Sequence, residues 1–131
     1  MSPEQIIQRL KNYRSELTGI MKRYVRKSNS YNINSNDDPK YRTIVIEITD
    51  LLDDLLGKNH YSKMIAQSFN EGISNYLGSL SYKSVEDITS VINAIIMRIE
   101  TNPEILQRPE EKQEQADVQV GTPEKVTLKW L

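Results

Sequence analysis

Cysteine is absent from this 131-residue chain, and histidine, phenylalanine and tryptophan occur once each. Without cysteine there is no disulfide, no thiolate metal site and no cysteine nucleophile, a composition that fits a reducing compartment. The single histidine, His60, sits at an expected helix start beside Asn59 and Tyr61 with no partner motif around it, so it offers neither a catalytic triad nor a metal cluster. Glycine is limited to five isolated residues, which excludes a glycine-rich phosphate loop and leaves room for long helices. Nor does any stretch reach the roughly 18 continuous apolar residues of a membrane span. The N-terminal MSPEQIIQRLKNYR lacks the apolar core and small-residue cleavage site of a signal peptide. The expectation is a cytoplasmic protein with no membrane span within this chain.

What is present is helical periodicity. Ser2, Pro3 and Gln5 form a capping box with proline at the first helical position. Apolar residues follow at Ile6, Leu10, Tyr13, Leu17, Ile20 and Tyr24, in alternating steps of four and three, so the spacing predicts a first helix over about 3–27. Gly19 lies within it, at about 1 kcal/mol relative to alanine. Residues 28–38, SNSYNINSNDD, read as a polar loop. Asp38 and Pro39 then open a second helix over about 39–56, with a seam of Tyr41, Ile44, Ile48, Leu51 and Leu55 and a stop at Gly57. A third helix is expected over about 60–77, carrying Tyr61, Ile65, Phe69, Ile73, Tyr76 and Leu77 and ending at Gly78. A fourth, over about 84–100, takes Ser84 as its cap and Ile88, Ile92, Ile95 and Ile99 as its seam. Its many β-branched residues favour strands, but their period is that of a helix. A short fifth turn is expected at 103–107.

Four amphipathic helices with short connections predict an all-α, antiparallel four-helix bundle over residues 1–107. An orthogonal, death-domain-like packing of the same helices is the alternative. From Arg108 the chain turns charged and glutamine-rich, the composition of a flexible linker, so 108–131 is expected to be a disordered tail. It ends on KVTLKWL, where Val126, Leu128 and Trp130 form a candidate docking segment.

Charge is polarised. Residues 1–42 hold nine basic against four acidic side chains, whereas 43–131 hold eight against fourteen. Lys22, Arg23, Arg26 and Lys27 close the first helix while Lys40 and Arg42 open the second, so a hairpin would gather six cations around one loop. That loop adds Tyr31 and several asparagines, a set suited to nucleic acid or to anionic lipid. On the second helix Ile46 lies roughly 160° from the seam, rimmed by Asp50 and Asp53, an apolar spot fitted to a partner. Glu47, Asp50 and Asp54 share a flank of the same helix and could hold a divalent cation if a second acidic helix faced them; none is evident. No cofactor is implied.

The first expectation is therefore a non-catalytic protein–protein interaction module of adaptor or regulatory type. It would recruit an effector or form the N-terminal part of a larger protein, acting through a protein partner or by self-association. A nucleic-acid-binding helical protein is the second expectation and a metal-dependent all-α hydrolase the third.

Overall fold

The computed structural model describes residues 1–27, 30–73 and 80–106. In chain order they form α1 (Pro3–Lys22), β1 (Val25–Lys27), β2 (Ser30–Asn32), a 3₁₀ turn (Ser35–Asp37), α2 (Asp38–Leu56), α3 (His60–Glu71), α4 (Tyr82–Thr101) and a closing 3₁₀ turn (Pro103–Leu106). No helix among the described residues is long and apolar enough to cross a membrane. The expected tail, including Val126, Leu128 and Trp130, lies outside the described residues, as do Tyr76, Leu77 and Gly78 of the expected third helix.

The helices form an antiparallel up-down bundle in which each packs on its neighbours in sequence and α4 closes the ring against α1. The cross-helix contacts give the direction of every pair. Tyr13 reaches Glu47 while Lys40 meets Glu16, so α1 and α2 run opposite ways. Asp53 accepts from Ser62 while Tyr41 packs on Phe69, which sets α3 against α2. Arg98 bonds Tyr61 at one end of α3–α4 and Gly72 abuts Ser84 at the other. Arg14 reaches Asn93 and Lys11 pairs with Glu100, which makes α4 antiparallel to α1.

The seams read from the sequence fill the core. Ile6, Leu10, Tyr13, Leu17 and Ile20 of α1 are buried, as are Tyr41, Ile44, Ile48 and Leu51 of α2 and Ile88, Ile92, Ile95 and Ile99 of α4. The α3 contribution is thinner: Ile65 is fully buried, while Tyr61, Phe69 and Ile73 pack from the margin. The expected capping box is present, with Ser2 accepting from the Gln5 N–H and Gln5 reaching back to the Ser2 N–H. Gly57 ends α2 at φ 64°, a backbone region open to glycine and little else.

Four boundaries differ from the sequence-based expectation. The first helix stops at Lys22 rather than 27, because Val25–Lys27 pairs with Ser30–Asn32 as a β-hairpin. Tyr24, expected in the seam, is consequently exposed. The polar loop over 28–38 thus contains a strand and a 3₁₀ turn. The second helix starts at Asp38, one residue early, with Asp37 at the cap position but its carboxylate engaged elsewhere. The third helix ends at Glu71, since Ile73 leaves it to bridge Leu80 and the Ser81 N–H donates to the Gly72 carbonyl at 2.8 Å. The fourth begins at Tyr82 with Ser81 as cap, which moves Ser84 from the surface into the core.

That move builds a tight junction between α2, α3 and α4. The Ser84 hydroxyl lies 2.7 Å from the Tyr41 hydroxyl, and both residues are almost wholly buried. A Cβ placed on Gly72 would stand 2.3 Å from the Ser84 Cβ, so only glycine lets the end of α3 approach α4 this closely. Gly72→Ala is expected to destabilise the fold by about 1–3 kcal/mol, as overpacking of tight cores does, in urea titrations. Burial holds the Tyr41 hydroxyl protonated well above the ordinary tyrosine value near 10, despite the opposing Ser84 hydrogen bond, and burial shifts Tyr13 the same way. The folded state therefore binds these protons more tightly than the unfolded chain does. The stability this represents is complete below about pH 10 and falls as pH rises beyond it. Tyr41→Phe should flatten the alkaline limb of the stability–pH curve; a limb as steep as wild type would show that Tyr41 is not its source.

Candidate functional site

The hairpin end of the bundle gathers the most distinctive surface chemistry. In the hairpin Arg26 stands directly opposite Tyr31, and Asn32 of β2 forms a bridge to Ser81 on its other side. The Ile33 N–H donates to the Leu80 carbonyl at 3.0 Å, which fixes the hairpin against the start of α4. Tyr82 is thereby brought to the same surface. Tyr24, just past the end of α1, packs edge-to-face on Tyr31 with centroids 5.5 Å apart and on Tyr82 at 5.7 Å. The Arg26 guanidinium lies 5.6 Å from the Tyr31 ring centroid, within cation–π range. Tyr24 and Tyr31 each remain 48% exposed, large for rings that already pack on one another.

Of the six cations expected to converge here, three are engaged in ion pairs. Arg23 donates through Nε and an Nη to both carboxylate oxygens of Asp37, at 2.9 and 3.0 Å. That bidentate pair explains why Asp37 does not cap α2, and it raises the Arg23 pKa further. Arg42 bonds Asp38 one turn earlier and lies over the Phe69 ring, while Lys40 is 3.8 Å from Glu16. Arg26 faces Tyr31, and Lys22 is exposed with no ion pair among the described residues. The side chain of Lys27 lies outside the described part. Three of the six thus pair with neighbouring carboxylates.

The second expected surface, on α2, is divided. Ile46 is 60% exposed and Asp50 is exposed beside it. Asp53 instead accepts from the Ser62 hydroxyl at 2.7 Å and from the Asn59 side-chain amide at 3.3 Å, tying the α2–α3 connection together. It lines an open groove of about 760 Å³ with Thr49, Lys58, Ser62, Lys63 and Ala66, just beyond Ile46 along α2. Glu47 of the possible metal trio accepts from Tyr13 at 3.1 Å. Among the described residues no group of three or more His, Asp or Glu side chains is placed to hold a metal ion.

Tyr82 and the surface role of Tyr24 were not apparent from the sequence. Tyr24 falls at seam spacing after Ile20, and nothing local ties Tyr82 to residues fifty positions earlier. The available signal was the Ser–Asn–Ser turn set between Val25 and Tyr31, both strand-favouring.

The fold and this surface define an up-down four-helix bundle that carries a β-hairpin and a cluster of three tyrosines at one end. Comparison with known proteins finds no matching family, and no curated protein or solved structure with significant similarity to the chain.

The two arginines of this end should separate structure from surface. Arg23→Ala is expected to lower the melting temperature, because Asp37, with its side chain only 12% exposed, loses its partner. Arg26→Ala should leave the melting temperature near wild type. Equal effects in thermal unfolding would contradict this division.

Proposed function

We propose that the chain is a non-catalytic helical protein–protein interaction module of adaptor or regulatory type, acting through the Tyr24–Tyr31–Tyr82 surface with Arg26. The observation that carries the reading is the exposed, edge-to-face tyrosine cluster beside an arginine. Tyrosine and arginine are the residue types that most often dominate binding energy at protein interfaces. Rings already ordered by their neighbours lose little conformational freedom on contact, which lowers the cost of association. Ile46 and Asp50, about a turn apart on α2, offer a smaller second contact. A cytoplasmic location belongs to the same reading and is supported by the lack of cysteine.

Nucleic-acid binding is the second reading, favoured by the aromatic rings next to Arg26 and weakened by the internal pairing of Arg23, Lys40 and Arg42. One experiment tests both. A photo-crosslinking residue at position 31, in cells that express the protein natively, should give one discrete protein adduct or a cross-linked dimer of the chain. Tyr24→Ala should abolish that adduct while circular dichroism shows the four helices still folded. An oligonucleotide adduct, with affinity that falls steeply with salt and is lost in Arg26→Glu, would replace the protein reading with the nucleic-acid one. No adduct at all, from a chain that light scattering shows to be monomeric, would dismiss both.

A further inference from the structure

The opposite end of the bundle holds a site that the interaction reading does not use. Between the α2–α3 connection, the start of α3 and the last turns of α4 lies a pocket of about 210 Å³, the liquid volume of about seven water molecules. Leu56 and Ile105 form its apolar lining. Its polar lining comes from Lys58, Asn59, His60, Tyr61 and Arg98, and no carboxylate among the described residues lines it. Of the acids near it in sequence, Asp53 is bonded by Ser62 and Asn59 and Glu100 pairs with Lys11 across the α1–α4 face, while Asp54 and Glu104 are exposed and lie outside the lining.

We propose that this pocket binds a phosphate group. Two permanent cations, Lys58 and Arg98, reach it from separate elements, and His60 adds a ring nitrogen donor from a third position. Lys58 makes no ion pair or hydrogen bond among the described residues, so its ammonium is available to a ligand. Arg98 is held in place by its 2.8 Å hydrogen bond to the Tyr61 hydroxyl, which uses one of five guanidinium N–H groups and leaves the others to bind. The His60 and Tyr61 rings lie 4.3 Å apart, so the tyrosine that positions Arg98 also steadies the histidine. A phosphate, carrying about −1.5 to −2 charges and three strong acceptor oxygens at neutral pH, matches several donors spread around one concavity. A carboxylate, with one charge and two oxygens in a plane, would leave part of that set unused. Leu56 and Ile105 give the pocket room for a small organic substituent on the phosphate.

The test is a titration of the full chain with inorganic phosphate, followed by ¹H–¹⁵N NMR at constant ionic strength balanced with chloride. Saturable shifts are expected at the His60 and Tyr61 amides and the Arg98 side-chain Nε, with no comparable change at Lys22 or Arg26. Lys58→Ala and Arg98→Ala should each weaken binding about tenfold, as loss of a charge-assisted hydrogen bond does. Lys58→Ala keeps the result readable if loss of the Arg98–Tyr61 bond disturbs the helix end. A parallel titration with phenyl phosphate should bind at least as tightly as inorganic phosphate if the site takes a phosphate ester. Weaker binding of the ester would identify free phosphate as the ligand, within the same proposal. Non-saturating shifts, shifts spread equally over the hairpin end, or equal affinity for acetate would overturn it.

Discussion

The close approach of Gly72 to Ser84 is the constraint on which the bundle depends. It brings the end of α3 against the first turn of α4, and it places the Ser84 hydroxyl where Tyr41 of α2 can share a hydrogen bond with it in a dry environment. Three helices meet at one point with every polar atom of that contact occupied. A buried hydroxyl without a partner costs far more than the bond itself contributes, so the pairing defines which rotation of α4 is acceptable. The apolar seams, which would tolerate small sliding, are locked in register by this polar contact.

The consequences extend to the surface. With α4 starting at Tyr82, residues 80 and 81 are extended and offer backbone groups to Ile73, Asn32 and Ile33. The hairpin is therefore anchored by main-chain pairing to the α3–α4 connection, and its Tyr31 is held half-exposed on a fixed base. A two-stranded hairpin is marginal alone. Here the neighbouring bridges and the Arg23–Asp37 pair hold both ends of it. The far end is built differently: helix termini and single side chains converge there, with Asn59 capping α3 and bonding back to Gly57. Helices of about 19 residues at 1.5 Å per residue set the two ends close to 28 Å apart, so tyrosine surface and cationic pocket can act independently.

Much of this was legible in the sequence, for identifiable reasons. The seams of α1, α2 and α4, the capping box at Ser2 and the stop at Gly57 all depend on residues within a few positions of one another. Periodicity and cap chemistry report such relations directly. The hairpin was missed because Tyr24 continued the four-and-three spacing, and because the residues that anchor its second strand through Asn32 and Ile33, Ser81 and Leu80, lie far along the chain. How the six cations are engaged was hidden for a related reason. Proximity of basic residues in sequence was visible, but the pairing of Arg23 with Asp37 and of Lys40 with Glu16 depends on how two helices face each other.

The sequence by itself determined that the chain forms four amphipathic helices, which faces they bury and where α2 must end, since these follow from helical period and from backbone limits on glycine. The tertiary structure alone decided that Ser84 is a core residue, that Tyr24, Tyr31 and Tyr82 form one surface, and that Lys58, His60 and Arg98 share a pocket. Each of those facts joins segments tens of residues apart, and the forces that join them, close packing and hydrogen bonding at fixed distances, exist only once the helices have docked.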